Sequence, residues 1–213
     1  MDFISKDIQD YSARHTTVAG KLLEKIDRET NLNVLRPRML SGHVQGRILS
    51  MVSHMIRPKT ILEIGTYTGY SALCMAEGLA DKGKLFTIDI NEELEPIVNR
   101  YFQESDYSDQ LQYMIGDALD LIPSLNETFD LVFIDADKVN YYNYYQLVID
   151  KMAQGGFIIA DNILWSGKVI SKPKPNDKDT KALIEFNKKV HEDPRVENVL
   201  MAVRDGLMIL RVL

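Results

Sequence analysis

Apolar residues return at helical spacing in the first part of the chain. Val18, Leu22, Leu23 and Ile26 do so in one stretch, and Ile48, Leu49, Val52, Met55 and Ile56 in another, which predicts an all-helical leader up to about Arg57. From Thr60 onward the pattern changes. Short β-branched runs, Ile61 to Ile64, Leu85 to Asp89, Leu111 to Ile115, Leu131 to Asp135 and Phe157 to Asp161, alternate with longer amphipathic ones. Strands alternating with helices build right-handed crossovers and a parallel sheet covered on both faces. After a helix carrying Ala182, Leu183, Phe186 and Val190, two further strand-like runs, Val196 to Val203 and Leu207 to Val212, flank Asp205-Gly206. That dipeptide is a tight hairpin signal, so the last strand is expected antiparallel to its predecessor. The pattern predicts a doubly wound α/β fold with a mostly parallel seven-stranded sheet, a C-terminal antiparallel hairpin and N-terminal helices. The one long loop expected is Trp165 to Thr180, where Pro173 and Pro175 alternate with Lys172 and Lys174.

Length and composition narrow the organisation. The 213 residues, 45% of them hydrophobic, suit a single domain over 1–213, with a helical leader at 1–57 and an α/β core at 58–213. The 31 acidic residues outnumber the 25 basic ones for a net charge of -6, which disfavours a nucleic-acid partner. The single cysteine, Cys74, lies among Leu73, Met75 and Ala76, which excludes a disulfide framework and points to a small buried apolar role. The start, Met-Asp-Phe-Ile-Ser-Lys-Asp, has no basic segment leading into an apolar one, and no run of about 18 apolar residues occurs. A soluble, cytoplasmic protein without a membrane partner is expected.

The first candidate site is Ile-Leu-Glu-Ile-Gly-Thr-Tyr-Thr-Gly-Tyr at 61 to 70, a strand entering a glycine-bearing turn and then a helix. Such turns hold nucleoside cofactors at carboxyl strand ends. A dinucleotide fingerprint from Gly65 would need glycine at 67 and glycine or alanine at 70, where Tyr67 and Tyr70 stand. Glu63 followed by Gly65 and Gly69 better suits a ligand with a cationic amino-acid end and no phosphate, S-adenosylmethionine. Asp89, about 20 residues beyond the turn, is placed to accept from both ribose hydroxyls. Gly116-Asp117-Ala118, ending the third strand, would border the adenine. Glycines also punctuate ordinary strand-to-helix turns, and acids also cap helices, so the order of all four residues carries this reading.

The second candidate lies two strands away. Phe133-Ile134-Asp135-Ala136-Asp137-Lys138 ends the fourth strand, and Ile159-Ala160-Asp161-Asn162 ends the fifth. Neighbouring parallel strands would bring Asp135, Asp161 and Asn162 to one edge. Two carboxylates and an amide oxygen form a hard set suited to Mg²⁺, Mn²⁺ or Ca²⁺ rather than zinc. The alternative is that Asp161-Asn162 caps a turn and Asp135 faces solvent. Beside a divalent ion, a partly desolvated Lys138 could take a proton from a hydroxyl substrate.

With these residues placed, the chain resembles the cation-dependent O-methyltransferases of the catechol and caffeoyl-coenzyme A type. The resemblance runs from Met39-Leu40-Ser41 through Leu62 to Ser71, Thr-Ile-Asp-Ile at 87 to 90 and Gly-Asp-Ala at 116 to 118. It continues through Phe-Ile-Asp-Ala-Asp-Lys at 133 to 138 and Asp-Asn-Ile-Leu-Trp-Ser-Gly at 161 to 167, the last two being the most specific. It implies a Rossmann-like methyltransferase fold, Asp135, Asp161 and Asn162 as metal ligands, and Lys138 with Asp135 as the catalytic pair. It implies Glu63, Gly65, Thr66, Ser71, Asp89, Asp117, Ala118 and Asp135 as cofactor positions, with Met39 and Ser41 near the methionine end. The implied reaction is methyl transfer to one oxygen of a vicinal diol chelated on the metal, and the family is commonly homodimeric.

Animal catechol enzymes of this type carry a further acid near the C-terminus, whereas here Asp205-Gly206-Leu207 is followed by Met208. That difference leans toward the plant and bacterial branch, with phenylpropanoid-like acceptors. Two other readings compete: the same chemistry on a hydroxylated nucleoside in tRNA, which the net charge disfavours, and a nicotinamide oxidoreductase, which Tyr67 and Tyr70 disfavour. The run Tyr141, Tyr142, Tyr144, Tyr145 reads as helix packing or a dimer contact at least as well as substrate stacking. Lys168, Lys172, Lys174 and Lys178 fit a solvated loop better than a contact for an anionic coenzyme A thioester.

Overall fold

The structure, a computed structural model, describes residues 4–213; the first three residues of the segment scanned for a targeting signal lie outside them. The leader forms helices α1 (Lys6–Arg14), α2 (Lys21–Asn33) and α3 (Gly42–Ile56), with a 3-10 turn at Pro37–Met39 before α3. The core then alternates β1 (Thr60–Ile64), α4 (Tyr70–Ala76), β2 (Lys84–Asp89), α5 (Glu95–Glu104), β3 (Leu111–Ile115), α6 (Ala118–Ser124), β4 (Phe129–Ile134), α7 (Tyr141–Ile149) and β5 (Met152–Asp161). It closes with α8 (Lys178–Glu192), β6 (Val196–Met201) and β7 (Leu207–Val212). Among the described residues no helix is long and apolar enough to cross a membrane.

The seven strands lie in the order β3-β2-β1-β4-β5-β7-β6. The first five named are mutually parallel, and β7 runs antiparallel to both β5 and β6. Because helices cover both faces, the central strand β4 is buried and apolar along most of its length, whereas the edge strand β3 carries an exposed Gln112 and no fully buried residue. Leu62, Ile64, Val132 and Ile134 pack toward α6, α7 and α8, while Ile61, Leu131 and Phe133 pack toward α2, α3, α4 and α5. The connections reverse direction between β1 and β4, and a crevice opens at the carboxyl ends of strands where this happens. Both candidate clusters border that point.

The leader buries most of its expected stripes: Leu23, Ile26 and Leu49 are buried and Leu22, Ile48, Val52 and Ile56 pack against the same core, while Val18 and Met55 are exposed and the buried face of α3 also holds Gln45, Gly46, Ser50 and Ser53. Small residues face inward because α3 approaches α4 closely. A Cβ on Gly46 would stand 2.6 Å from the Tyr70 ring and 2.8 Å from the Cys74 sulfur. Cys74 itself is fully buried, as the sequence predicts, and burial pushes its thiol up to about 12.

Candidate active site

At the end of β1 the chain must pass beneath the carbonyl of Asp135. Gly65 does so at φ 104°, where a Cβ would lie 2.1 Å from the Asp135 oxygen, so a side chain has no room. The glycine turn and the acidic edge therefore touch here. Glu63 was expected to face the cationic end of a ligand; it is instead wholly buried, on the same face as Ile61, because side chains alternate along a strand. Ser71 at the start of α4 and Thr87 of β2 each donate a hydroxyl to one of its oxygens, and Thr66 hydrogen-bonds to Thr87 at 2.6 Å. Glu63 thus ties three segments together from behind the turn, and Thr66 directs its side chain into the same buried network.

Burial pushes the Glu63 carboxyl up to about 8, against the opposing effect of the two hydroxyls. Its ordinary value is 4.5, so between these limits the native state holds a proton that the unfolded chain has lost. Stability must then fall as pH rises through that window, by about 1.4 kcal/mol per pH unit from this group. Glu63→Gln, whose amide can still meet two rotatable hydroxyls, is expected to flatten the fall in melting temperature between about pH 5 and 8. Parallel melting curves for wild type and variant across that range would show that Glu63 is ionised in the native state.

At the end of β2, Asp89 accepts from the backbone N–H of Tyr67 at 2.7 Å and of Asn91 at 2.9 Å, and remains partly exposed at the crevice. Tyr67, in the left-handed region at φ 49°, reaches the other way. Its hydroxyl donates to the carbonyls of Leu35 (3.1 Å) and Arg36 (3.3 Å), pinning the leader over the turn. Met39 is exposed on the 3-10 turn that follows, and Ser41 is buried. At the end of β3, Asp117 caps α6 by accepting from the Leu119 N–H at 2.8 Å, and Ala118 is buried beside it.

The oxygen cluster assembles as the adjacency of β4 and β5 requires. The ammonium of Lys138 donates to Asp135 Oδ1 and Asn162 Oδ1, each at 3.0 Å, and to the hydroxyl of Tyr141. That hydroxyl donates in turn to the Asp161 carbonyl at 3.0 Å, and burial keeps the phenol protonated by raising its pKa well above the ordinary value. Asn162 reaches the cluster from a left-handed backbone at φ 58°. Asp161 is 2% exposed; burial, and then the charge of Asp135, push its carboxyl up. Among the described residues no three histidine, cysteine or acidic side chains gather as a metal site, so the candidate set consists of two carboxylates and an amide. The ammonium shows that two of these donors do converge on one positive charge.

The segment after β5 is shaped by the β6–β7 turn. Ile163 and Leu164 donate their N–H groups to the carbonyls of Gly206 (3.2 Å) and Asp205 (2.9 Å), and the Asp205 carboxylate accepts from the Ser166 N–H. Trp165 begins a 3-10 turn through Ile170, with the Lys138 and Lys168 ammonium groups 5.8 and 5.6 Å from its ring centroid. Tyr141, Tyr144 and Tyr145 are buried, the first and last edge-on to Phe186, so most of the tyrosine run packs α7. Sequence reasoning missed Gln45, Tyr141 and Arg204 as members of the site, and treated Tyr67 only as an obstacle to dinucleotides.

Comparisons with known proteins identify the family and the fold. A family model described as O-methyltransferase matches residues 10–213. Caffeoyl-CoA O-methyltransferase 5 of Nicotiana tabacum is 36% identical over 184 residues, covering 81% of this chain and 77% of that protein. Caffeoyl-CoA O-methyltransferase 1 of Eucalyptus globulus is also 36% identical, covering 81% and 74%. Among solved structures, the O-methyltransferase from Bacillus cereus in complex with SAH superposes with a TM-score of 0.90 at 26% identity, covering 97% of each chain. An SAH-bound methyltransferase from Podospora anserina gives 0.89 at 27% identity, covering 97% of this chain and 94% of its own.

Proposed function

The chain belongs to the O-methyltransferase family, and on that premise we propose that it moves the methyl group of S-adenosylmethionine to one hydroxyl of a catechol-like small molecule, with a divalent cation at the ends of β4 and β5. The observation that carries the reading is the convergence of Asp135 and Asn162 on one cationic group, with Asp161 beside them, next to the Gly65 turn. Hard oxygen donors of this kind fit Mg²⁺, Mn²⁺ or Ca²⁺. When bound, S-adenosylmethionine supplies an activated methyl group, and the cation a Lewis acid that holds a hydroxyl oxygen and favours its ionised form.

The chain's own residues then do the positioning. Asp89 receives the ribose hydroxyls, with Asp117 and Ala118 at the adenine. Met39, Ser41 and Ser71 flank the methionine end, and Gly65 permits close approach. Glu63 and Thr66 act from behind by fixing Ser71 and β2. Asp135 and Lys138 stand at the junction of the two clusters, where Lys138 in its neutral amine form, its ammonium proton first released to solvent, would take the hydroxyl proton. Its ammonium and a divalent ion compete for the same two oxygens. Holding the acceptor oxygen in line with the methyl carbon is the larger part of the catalysis. Trp165 offers an aromatic face for a phenylpropanoid-like acceptor, in keeping with the caffeoyl-CoA enzymes among the relatives.

The test is methyl transfer to caffeic acid and to caffeoyl-CoA, with Mg²⁺ and after chelation. Turnover is expected with Mg²⁺, background with the chelator, and recovery on adding Mg²⁺ or Mn²⁺. Chelator-resistant turnover would remove the cation from the reading. S-adenosylmethionine binding without transfer to any vicinal diol would remove the acceptor class.

A further inference from the structure

Neither oxygen of the Asp161 carboxylate is left to choose its own direction. Oδ1 accepts from the backbone N–H of Asn162 at 2.7 Å, and Oδ2 accepts from Nε2 of Gln45 at 2.6 Å. Gln45 lies 116 residues away in sequence, on the inward face of α3, and is 1% exposed. Its other end is also engaged: Oε1 accepts from Nη1 of Arg204 at 2.7 Å, and the same guanidinium nitrogen donates to the Ser41 carbonyl. A guanidinium only donates, so it selects the carbonyl end of the amide and turns the NH₂ end toward Asp161. A bridge from the β6–β7 turn through the leader to the end of β5 results.

Asp135 and Asp161 follow the paired residues Ile134 and Ala160 at the ends of neighbouring strands, so their carboxylates repel one another. An unrestrained Asp161 would swing away from Asp135. A neutral donor holds it in place without adding a positive charge that would compete for the carboxylate oxygens, which a lysine or arginine at residue 45 would do.

We propose that Gln45 is a positioning residue for the cation site, fixing the Asp161 carboxylate toward Asp135 and Asn162, with Arg204 holding the amide in the orientation this requires. The inference rests on the cation site proposed above. Partners of ligating groups set metal affinity by about 10–100-fold.

The closing experiment measures Mn²⁺ binding by the paramagnetic resonance of free Mn²⁺, without methyl donor or acceptor. Gln45→Leu, which keeps the volume and removes the donor, is expected to weaken binding about 10–100-fold while S-adenosylmethionine affinity by calorimetry changes less than about twofold. Saturating Mn²⁺ should restore its turnover, so the loss appears in the metal KM and not in kcat. Arg204→Met, at an exposed turn, should weaken Mn²⁺ less and add nothing to Gln45→Leu. Wild-type Mn²⁺ affinity in Gln45→Leu would overturn the inference. So would a parallel loss of Mn²⁺ and S-adenosylmethionine affinity with a fallen melting temperature, or an additive loss in the double variant. Failure of the wild type to bind Mn²⁺ would overturn the cation site and this inference together, whereas wild-type binding with an indifferent variant removes this inference alone.

Discussion

Asp161→Ala and Asp161→Asn are both expected to lower methyl transfer by at least about a hundredfold at saturating S-adenosylmethionine. Lewis-acid stabilisation at such a site is worth several kcal/mol of barrier, and about 1.4 kcal/mol is a factor of ten in rate. The two variants separate charge from shape. Asparagine preserves an acceptor for Gln45 but halves the carboxylate charge of the donor set, whereas alanine also leaves the Gln45 amide without its partner. That orphaned amide costs about 1–3 kcal/mol, partly offset by removing a carboxyl that burial disfavours in its ionised form. The melting temperature of each variant is therefore measured alongside turnover with and without chelator. A folded Asp161→Asn that keeps full, chelator-sensitive turnover would take Asp161 out of the site.

Lys138→Met is expected to lower kcat by about 10²–10⁴-fold, the usual contribution of a positioned general base. The KM for S-adenosylmethionine should change little, because no cofactor position hydrogen-bonds to the lysine except Asp135, whose Oδ1 it holds at 3.0 Å. Methionine fills the same 9%-exposed channel, so the Tyr141 hydroxyl keeps its bond to the Asp161 carbonyl and the fold is retained. The variant also removes a cation that competes for Asp135 and Asn162, so its Mn²⁺ affinity should rise even as turnover falls. Loss confined to S-adenosylmethionine binding would reassign Lys138 from proton transfer to cofactor support.

The central strand β4 was legible because a strand buried on both faces reads as a continuous apolar run, and no helix-period stripe competes with Leu131 to Ile134; the edge strand β3, only partly buried, was legible from its place in the alternation of strands and helices. The hairpin at Asp205-Gly206 was legible from turn chemistry alone. Asp135, Lys138 and Asn162 could be brought together in advance because adjacent parallel strands deliver their following residues to one edge. Other features left no local trace. The Gln45 to Asp161 and Arg204 to Gln45 bonds span 116 and 159 residues, and a glutamine on a helix looks the same whether it meets water or a carboxylate. The stripe of Ile48, Leu49, Val52 and Ile56 on α3 does pack inward, but Gly46, Ser50 and Ser53 beside it were not legible, because close approach to α4 favours small residues that carry no apolar signal. The burial of Glu63 was within reach: it shares the face of Ile61, so strand alternation alone directs it away from the crevice.

Strand β7 lies between β5 and β6, although it follows both in the chain. On a ribosome, then, β5 emerges with one edge bare, and that edge stays bare until Leu207–Val212 arrives to pair Phe157 through Asp161. The carbonyls of Asp205 and Gly206 that shape residues 163 and 164 arrive equally late. A nascent chain thus has its glycine turn roughly 140 residues before it can finish its acidic edge, counting from Gly65 to Asp205. Between the emergence of Asp161 and that of Leu207, roughly 46 residues later, the strand that ends in Asp161 is an adhesive apolar ribbon, the kind of surface on which newly made chains mispair with one another.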